Sequence, residues 1–494
     1  MKRHILLLCI LMTAVSCRCY DLTVTDEVIN SDLFGNGVEW DPYDEAVSWG
    51  SAVSDEDWEK LYRRMDFMRP QYVRCMINSP FTYYDNGRFV PERNSGNIIR
   101  LLSWCQKNDV SVIWGEFNPP ASSLKGSREW VEMSVAYLNR LVEHDGFSCI
   151  KHFVIFNEPD ACTDGDYDFW ESMVLRFDAE MRKYPALAGV TIAGPDAVLN
   201  YRNPASEFDS YGWVSQTASR LGDVVGLYDI HCYPGQHYVR SGSFGHDVGR
   251  VRALVPEGCR FVFGEGGYKY HDPADSTLLA EYWRRVDGHG FTKGTDCNML
   301  VTDWFYALDM PIFAMEAMNN GASGIAAWML DDAMHSSGDS GKAEDVKIWG
   351  MWNILGSEVF GDPSLETPRP WFYTWSLICR CFPSSSDILK IDSNLPPGVY
   401  ASASCVSPTE CSLVLVNVND FPVKLRIRLP KEASGSLWKR FSVTQSKEND
   451  SAALTSGDAE AASSGIMSLC LEPESFTALS SLAELRDMDF REVQ

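Results

Sequence analysis

Between residues 34 and 330 the chain alternates eight times between a short, nearly all-apolar run and a longer amphipathic one. The short runs lie at 34–40, 71–77, 110–116, 151–157, 190–195, 225–233, 260–265 and 323–330. Helical patterns separate them at 58–68, 97–107, 128–143, 169–184, within 204–221, at 248–254, and as a pair at 278–286 and 302–319. Strands that are apolar on both faces belong to a parallel sheet covered on both sides, and each parallel step needs a long crossover. Eight such units in about 300 residues predict an α/β fold closed into a (β/α)8 TIM barrel, not an open sheet.

Past Pro370 the texture changes. Residues 371–381 read as one more helix. Short alternating segments follow at 399–405, 411–418, 423–429, 441–445 and 468–472, divided by turn residues such as Pro396-Pro397-Gly398 and Asn419-Asp420. This pattern predicts an accessory antiparallel β-sandwich. The stretch 450–464, rich in Ser, Ala, Gly and acids, reads as a loop. The expected division is a barrel over 30–375 and a sandwich over 376–494, completed by an N-terminal strand within 20–29.

Lys2, Arg3 and His4 precede an apolar run from Ile5 to Val15, and Ala14-Val15-Ser16 places small residues at a cleavage point. Residues 1–16 therefore read as a signal peptide, too short to span a bilayer. Ala14-Val15-Ser16-Cys17 resembles a bacterial lipobox, with Ala where Leu is usual. Lipidation at Cys17 and plain cleavage after Ser16 both stay open. Either places the chain outside the cytoplasm, in the periplasm or at the outer membrane or cell surface. No later segment has the roughly 18 apolar residues of a spanning helix, so a membrane is expected as partner only through that anchor. Loss of the leader takes the formal charge from −25 to −27. So acidic a chain is a poor partner for nucleic acid. The 15 Cys form no CxxC pair and no zinc spacing; Cys405 and Cys411 could bridge a hairpin.

Chemistry in a parallel barrel gathers at the C-terminal ends of the strands. The fourth run ends in Asn157-Glu158-Pro159 and the seventh in Glu265. Cleavage of a glycosidic bond with retention needs two carboxyl groups. One gives a proton to the leaving oxygen and the other, ionised, attacks the anomeric carbon. The fourth and seventh strands face each other across a barrel, so both groups can reach one sugar.

These residues at these strand ends resemble glycoside hydrolase clan A, the retaining (β/α)8-barrel glycosidases, over roughly residues 33–375. The resemblance implies Glu158 as general acid/base, Glu265 as nucleophile, and Asn157 as a contact to the sugar 2-hydroxyl. Arg74, in Tyr72-Val73-Arg74-Cys75, resembles the arginine that the clan sets beside its nucleophile. The segment from Asp229 to Pro234 resembles the clan's sixth strand, where His231 would line the pocket and Tyr233 would hydrogen-bond the nucleophile. Trp328 resembles the tryptophan that floors the sugar subsite. Ala193-Gly194-Pro195-Asp196 ends the fifth strand in the manner of family 39, and the segment from Leu471 to Leu479 resembles the last strand of the sandwich in families 30, 39, 51 and 79. Gly266 and Gly267 stand where many members carry an aromatic, and the segment from Trp114 to Pro120 fits no single family.

Trp114 is a candidate stacking platform, and Glu116 and Glu39 are candidate substrate contacts, each weighed against a core or ion-pair role. Asp331, Asp332, His335 and His237 read as loop residues. No cofactor and no metal are expected. The first strand ends Val38-Glu39-Trp40 with no His-x-His, and no His-Glu-x-x-His, Gly-rich phosphate loop or Gly-x-Ser-x-Gly elbow is present. The rival to an enzyme is a catalytically inactive carbohydrate-binding lipoprotein of a glycan-uptake system, expected to have lost one of the two glutamates. The sandwich carries few aromatics beyond Trp438 and Phe441, which favours a supporting role over sugar binding. The loops at 236–247 and 331–348 are expected to set exo or endo action. The sugar and the oligomeric state are not legible.

Overall fold

The computed structural model describes residues 19–50, 52–270, 272–288, 297–446, 451–459, 465–486 and 488. The expected leader and Cys17 lie outside them. Eight parallel strands close into a barrel in chain order. They are β1 (Gly37–Glu39), β2 (Tyr72–Ile77), β3 (Ser111–Glu116), β4 (Ile150–Val154), β5 (Thr191–Val198), β6 (Val225–Cys232), β7 (Phe261–Gly266) and β8 (Gly324–Ala327). The main outer helices are α1 (Asp55–Met68), α2 (Ser95–Lys107), α3 (Arg128–Asn139), α4 (Tyr167–Met181), α5 (Ser210–Arg220), α6 (Ser243–Arg252), α7 (Trp304–Asn319) and α8 (Pro370–Cys381). Short polar side chains start several of them by accepting free first-turn N–H groups. Ser54 and Asp57 form a capping box on α1, and Ser127, Asp166 and Asp209 cap α3, α4 and α5.

Closure demands close backbone approach. A Cβ on Gly37 would stand 1.9 Å from the carbonyl oxygen of Tyr72, so β1 can lie against β2 only with glycine there. Tyr72, Met76, Ile113, Val154, Ala193, Leu227, Val262 and Ala326 fill the barrel interior with apolar side chains. Side chains alternate in and out along a strand. Arg74 on β2 therefore points inward with Tyr72 and Met76, and Asp229 and His231 on β6 point inward with Leu227. The same sheet that buries an apolar floor thus carries polar groups to its upper end.

The second unit joins an N-terminal strand (Cys19–Asn30) to β9 (Asp387–Ser393), β10 (Val399–Ser407), β11 (Glu410–Asn417), β12 (Val423–Arg428), β13 (Trp438–Gln445), β14 (Ala452–Ala459), β15 (Ile466–Leu471) and β16 (Ser475–Ser480). They hydrogen-bond in the order β14-β13-β16-β11-β10-β9-N-terminal strand-β12-β15. The unit is mostly antiparallel; the N-terminal strand runs antiparallel to β9 and parallel to β12. The sheet curls, so Leu22, Leu413, Leu425, Leu469 and Leu479 share one apolar core. Its other face sends Val414, Val416, Phe441 and Phe476 into the core that holds α7 and α8, which seats the sheet on the barrel. β14 forms where the composition suggests a loop. It has no apolar alternation to betray it, and as the sheet's edge strand it is held by pairing along β13.

Candidate active site

Arg74 is the hub of the polar layer. It is wholly buried, and its Nη1 lies 2.7 Å from Glu265 Oε1 and 3.0 Å from Glu39 Oε1. Its Nη2 donates to Asn157 Oδ1 at 2.8 Å and Asp196 Oδ2 at 3.2 Å. Burial opposes the charge, but the carboxylates of Glu39, Asp196 and Glu265 outweigh it and hold the guanidinium charged beyond its ordinary range. Glu39 behaves oppositely. Burial dominates there, and despite Arg74 its carboxyl is pushed well above the usual range. A guanidinium only donates, so Asn157 must turn its oxygen toward Arg74. That leaves the Asn157 amide N–H groups for a ligand.

Glu158 follows β4 and begins a short helix, Pro159–Cys162. Its Oε1 lies 3.0 Å from His231 Nδ1, and Glu265 Oε2 lies 3.5 Å from the same nitrogen. One oxygen of each glutamate and a nitrogen of His231 all lie within 4.8 Å of one another. The other ring nitrogen, Nε2, lies 3.1 Å from Asp196 Oδ1. Burial works against an imidazolium, but Asp196 and Glu265 more than offset it and lift the His231 pKa well above 6.5. Asp196 is driven the other way. Burial would raise it, yet His231 and Arg74 hold it down at about 2.

Glu265 ends β7 almost fully buried, and the Tyr233 hydroxyl donates to its Oε2 at 2.5 Å. Below it Gly264 gives its N–H to Asp229 Oδ1 at 2.7 Å; a Cβ there would stand 2.2 Å from that oxygen. Burial, then the charge of Asp196, raises Asp229 to about 7. Trp328 follows β8 and stacks on His335 with centroids 5.7 Å apart and planes at 10°. Phe117 meets Trp328 edge-on at 6.3 Å and His335 at 5.1 Å. A cavity of about 810 Å³ opens beside Glu158, walled by Tyr201, Tyr233, Tyr238 and Lys269.

Arg74, Asn157, Glu158, His231, Tyr233, Glu265 and Trp328 thus lie together at one barrel end. Trp114 and Glu116 do not join them. Ile113 points into the barrel, so its neighbours of opposite parity face the helices. Trp114 packs on Tyr137 of α3 with centroids 6.1 Å apart. Glu116 accepts from Tyr83, Trp130 and Ser134, and burial, partly offset by those bonds, raises it to about 7. Neither reaches the pocket. Phe117, of the other parity, meets Trp328 and His335. Glu39 is an interior partner of Arg74. Asp331 and Asp332 are buried rather than solvated: Asp331 accepts from Tyr43 and Trp352, and Asp332 pairs with Arg369. His335 is buried too, with Nε2 2.6 Å from Asp41 Oδ2. His237 is exposed on the short helix Gln236–Arg240. Asp196, Phe117 and His335 are the site residues that sequence reasoning missed; a strand-end position pointed to Asp196.

Two sets of donors are close enough to hold a divalent ion, Glu158–His231–Glu265 and Asp196–Asp229–His231. Both share His231, whose pKa its carboxylate neighbours Asp196 and Glu265 raise well above 6.5, and Arg74 already supplies positive charge to the cluster. Ligation needs the neutral ring, so a metal would compete with the proton that those carboxylates favour.

Solved structures share this architecture. A glycoside hydrolase family 30 endoxylanase from Clostridium papyrosolvens is 15% identical, with a TM-score of 0.58 over 94% of this chain and 100% of its own. The catalytic domain of a family 30 xylanase C from Talaromyces cellulolyticus is 12% identical, with a TM-score of 0.61 over 94% and 100%. A family 51 α-L-arabinofuranosidase from Bifidobacterium longum is 12% identical, with a TM-score of 0.58 over 94% and 100%. No protein-family model and no curated protein sequence matches the chain. At these identities the likeness establishes the fold: a TIM barrel with an attached β-sheet unit.

Proposed function

We propose that this chain is a retaining glycoside hydrolase that cleaves O-glycosidic bonds of a poly- or oligosaccharide by double displacement. One observation carries the reading: Glu158 and Glu265, from opposite sides of the barrel, bring carboxyl oxygens within 4.8 Å of one another. Retaining pairs stand about 5–5.5 Å apart, whereas inverting pairs leave room for a water at about 6.5–9.5 Å. In the first step Glu158 gives its proton to the leaving oxygen as Glu265 attacks the anomeric carbon, and the aglycone departs from a glycosyl ester. In the second, Glu158 takes a proton from water, the water oxygen attacks the same carbon, and Glu265 leaves as a carboxylate. Arg74 and Tyr233 fix both oxygens of Glu265, which lowers the reorganisation needed at attack. Asn157 offers amide N–H groups to the 2-hydroxyl, and Trp328 offers an apolar floor.

A panel of aryl glycosides and polysaccharides tests this. Turnover of at least one member, lost in Glu265→Gln, supports it. Binding of glycans with no turnover of any would favour the inactive binding lipoprotein instead. We also propose that residues 1–16 direct export and that Cys17 carries the lipid; incorporation of labelled fatty acid, abolished by Cys17→Ala, tests the anchor.

A further inference from the structure

Lys269 stands four residues beyond Glu265, half-buried in the wall of the cavity that Glu158 and Tyr233 also line. Its Nζ lies 4.6 Å from the ring centroid of Tyr233 and 5.6 Å from that of Trp349. Those two rings meet at 5.6 Å and 68°, so two π-faces hold one ammonium. Among the described residues no carboxylate pairs with it. Other half-buried cations have polar partners: Lys60 meets Asp57 and Glu366, Arg240 meets Asp309, Arg285 meets Glu281 and Asp303, and Arg64 and Arg252 donate to backbone carbonyls.

The polar layer beneath does not use this charge. Arg74 is engaged by Glu39, Asp196 and Glu265, and His231 by Glu158, Asp196 and Glu265. Lys269 faces the cavity, whose wall also holds the carboxyl groups of Glu158 and Asp272. Tyr233 fixes its distance from the chemistry, because the ring that carries the ammonium also carries the hydroxyl bonded to Glu265. An anionic substituent on a ring seated at Glu265 can reach the ammonium. A partly desolvated lysine makes its strongest bonds to such a group.

We infer, resting on the glycosidase reading, that the substrate is an acidic sugar whose carboxylate or sulfate pairs with Lys269. The test compares kcat/KM for matched aryl glycosides: a hexoside, its uronide and its 6-sulfate. The wild type should favour a charged member. Lys269→Met should lower the charged-to-neutral ratio about 10- to 100-fold, with Lys269→Arg recovering part of it. The member whose ratio falls most identifies the group. Equal losses on charged and neutral substrates would instead make Lys269 a clamp on Tyr233 and overturn the inference. Calorimetry on Glu265→Gln separates this from the catalytic reading. Uronate or sugar-sulfate binding in preference to the neutral sugar, lost when Lys269→Met is added, upholds the acidic ligand even if no glycoside is cleaved. Hydrolysis and binding of neutral sugars alone overturn it while leaving the glycosidase reading intact.

Discussion

The backbone N–H of Glu158 donates to Oδ2 of Asp196 at 3.1 Å, and both residues hold left-handed backbone, with φ of 45° and 60°. Such a conformation costs a non-glycine residue on the order of 1–3 kcal/mol and persists only where its surroundings fix it. Asp196 supplies the fixing, since it also accepts from Arg74 and His231. We expect Asp196→Ala to lower kcat/KM about 100-fold or more and to reduce Tm. Asn at 196 should keep more of the Tm than of the activity. Steady-state kinetics beside thermal unfolding measures both, and full activity in the Ala variant would remove Asp196 from the site.

Tyr233→Phe deletes one hydrogen bond to Glu265 and little volume. Arg74 still holds the other oxygen. The loss should fall on kcat, about 10- to 100-fold, with Tm nearly unchanged. A loss confined to KM would show that Tyr233 contacts substrate rather than aiming the nucleophile.

His335 makes stability pH-dependent. Burial would depress its pKa, but bonds to Asp41 and Glu45 lift it to about 9. The folded pKa lies above the unfolded 6.5, so the contribution is full below pH 6.5 and is lost as pH rises through 9. The shift corresponds to roughly 3 kcal/mol. Urea melts between pH 6 and 10 should show this decline, and His335→Gln should flatten it. Trp328, stacked on the ring, should report the change in its fluorescence.

Trp114 and Phe117 divide packing from binding. Trp114→Ala opens a cavity against α3 and should cost about 3–5 kcal/mol, while the folded protein keeps its KM. Phe117→Ala, beside Trp328, should raise KM with a smaller loss of stability. The reverse pattern would place Trp114 at the substrate.

Periodicity made the barrel legible: each strand is an apolar run that must be covered on both faces, and the helices between them show the complementary stripe. The glutamates stood out because Asn157-Glu158 and Glu265 break such runs at their C-terminal ends. Parity was harder to read. In a strand apolar on both faces, Trp114 and Phe117 look alike, and only the neighbour's register decides which one faces in. His335 was invisible for another reason. Its partners Asp41 and Glu45 lie almost 300 residues away in sequence, and nothing local distinguishes a loop histidine from a buried one. β14 was hidden because an edge strand of Ser, Ala and Gly draws its order from pairing, not from burial.

Proton NMR of the first product released from an aryl glycoside tests the central claim most directly. The account predicts that the sugar appears first in the anomeric configuration of the substrate and only later mutarotates, with no product from Glu265→Gln. Initial appearance of the opposite anomer would contradict it, since a direct attack by water would then replace the glycosyl ester at Glu265.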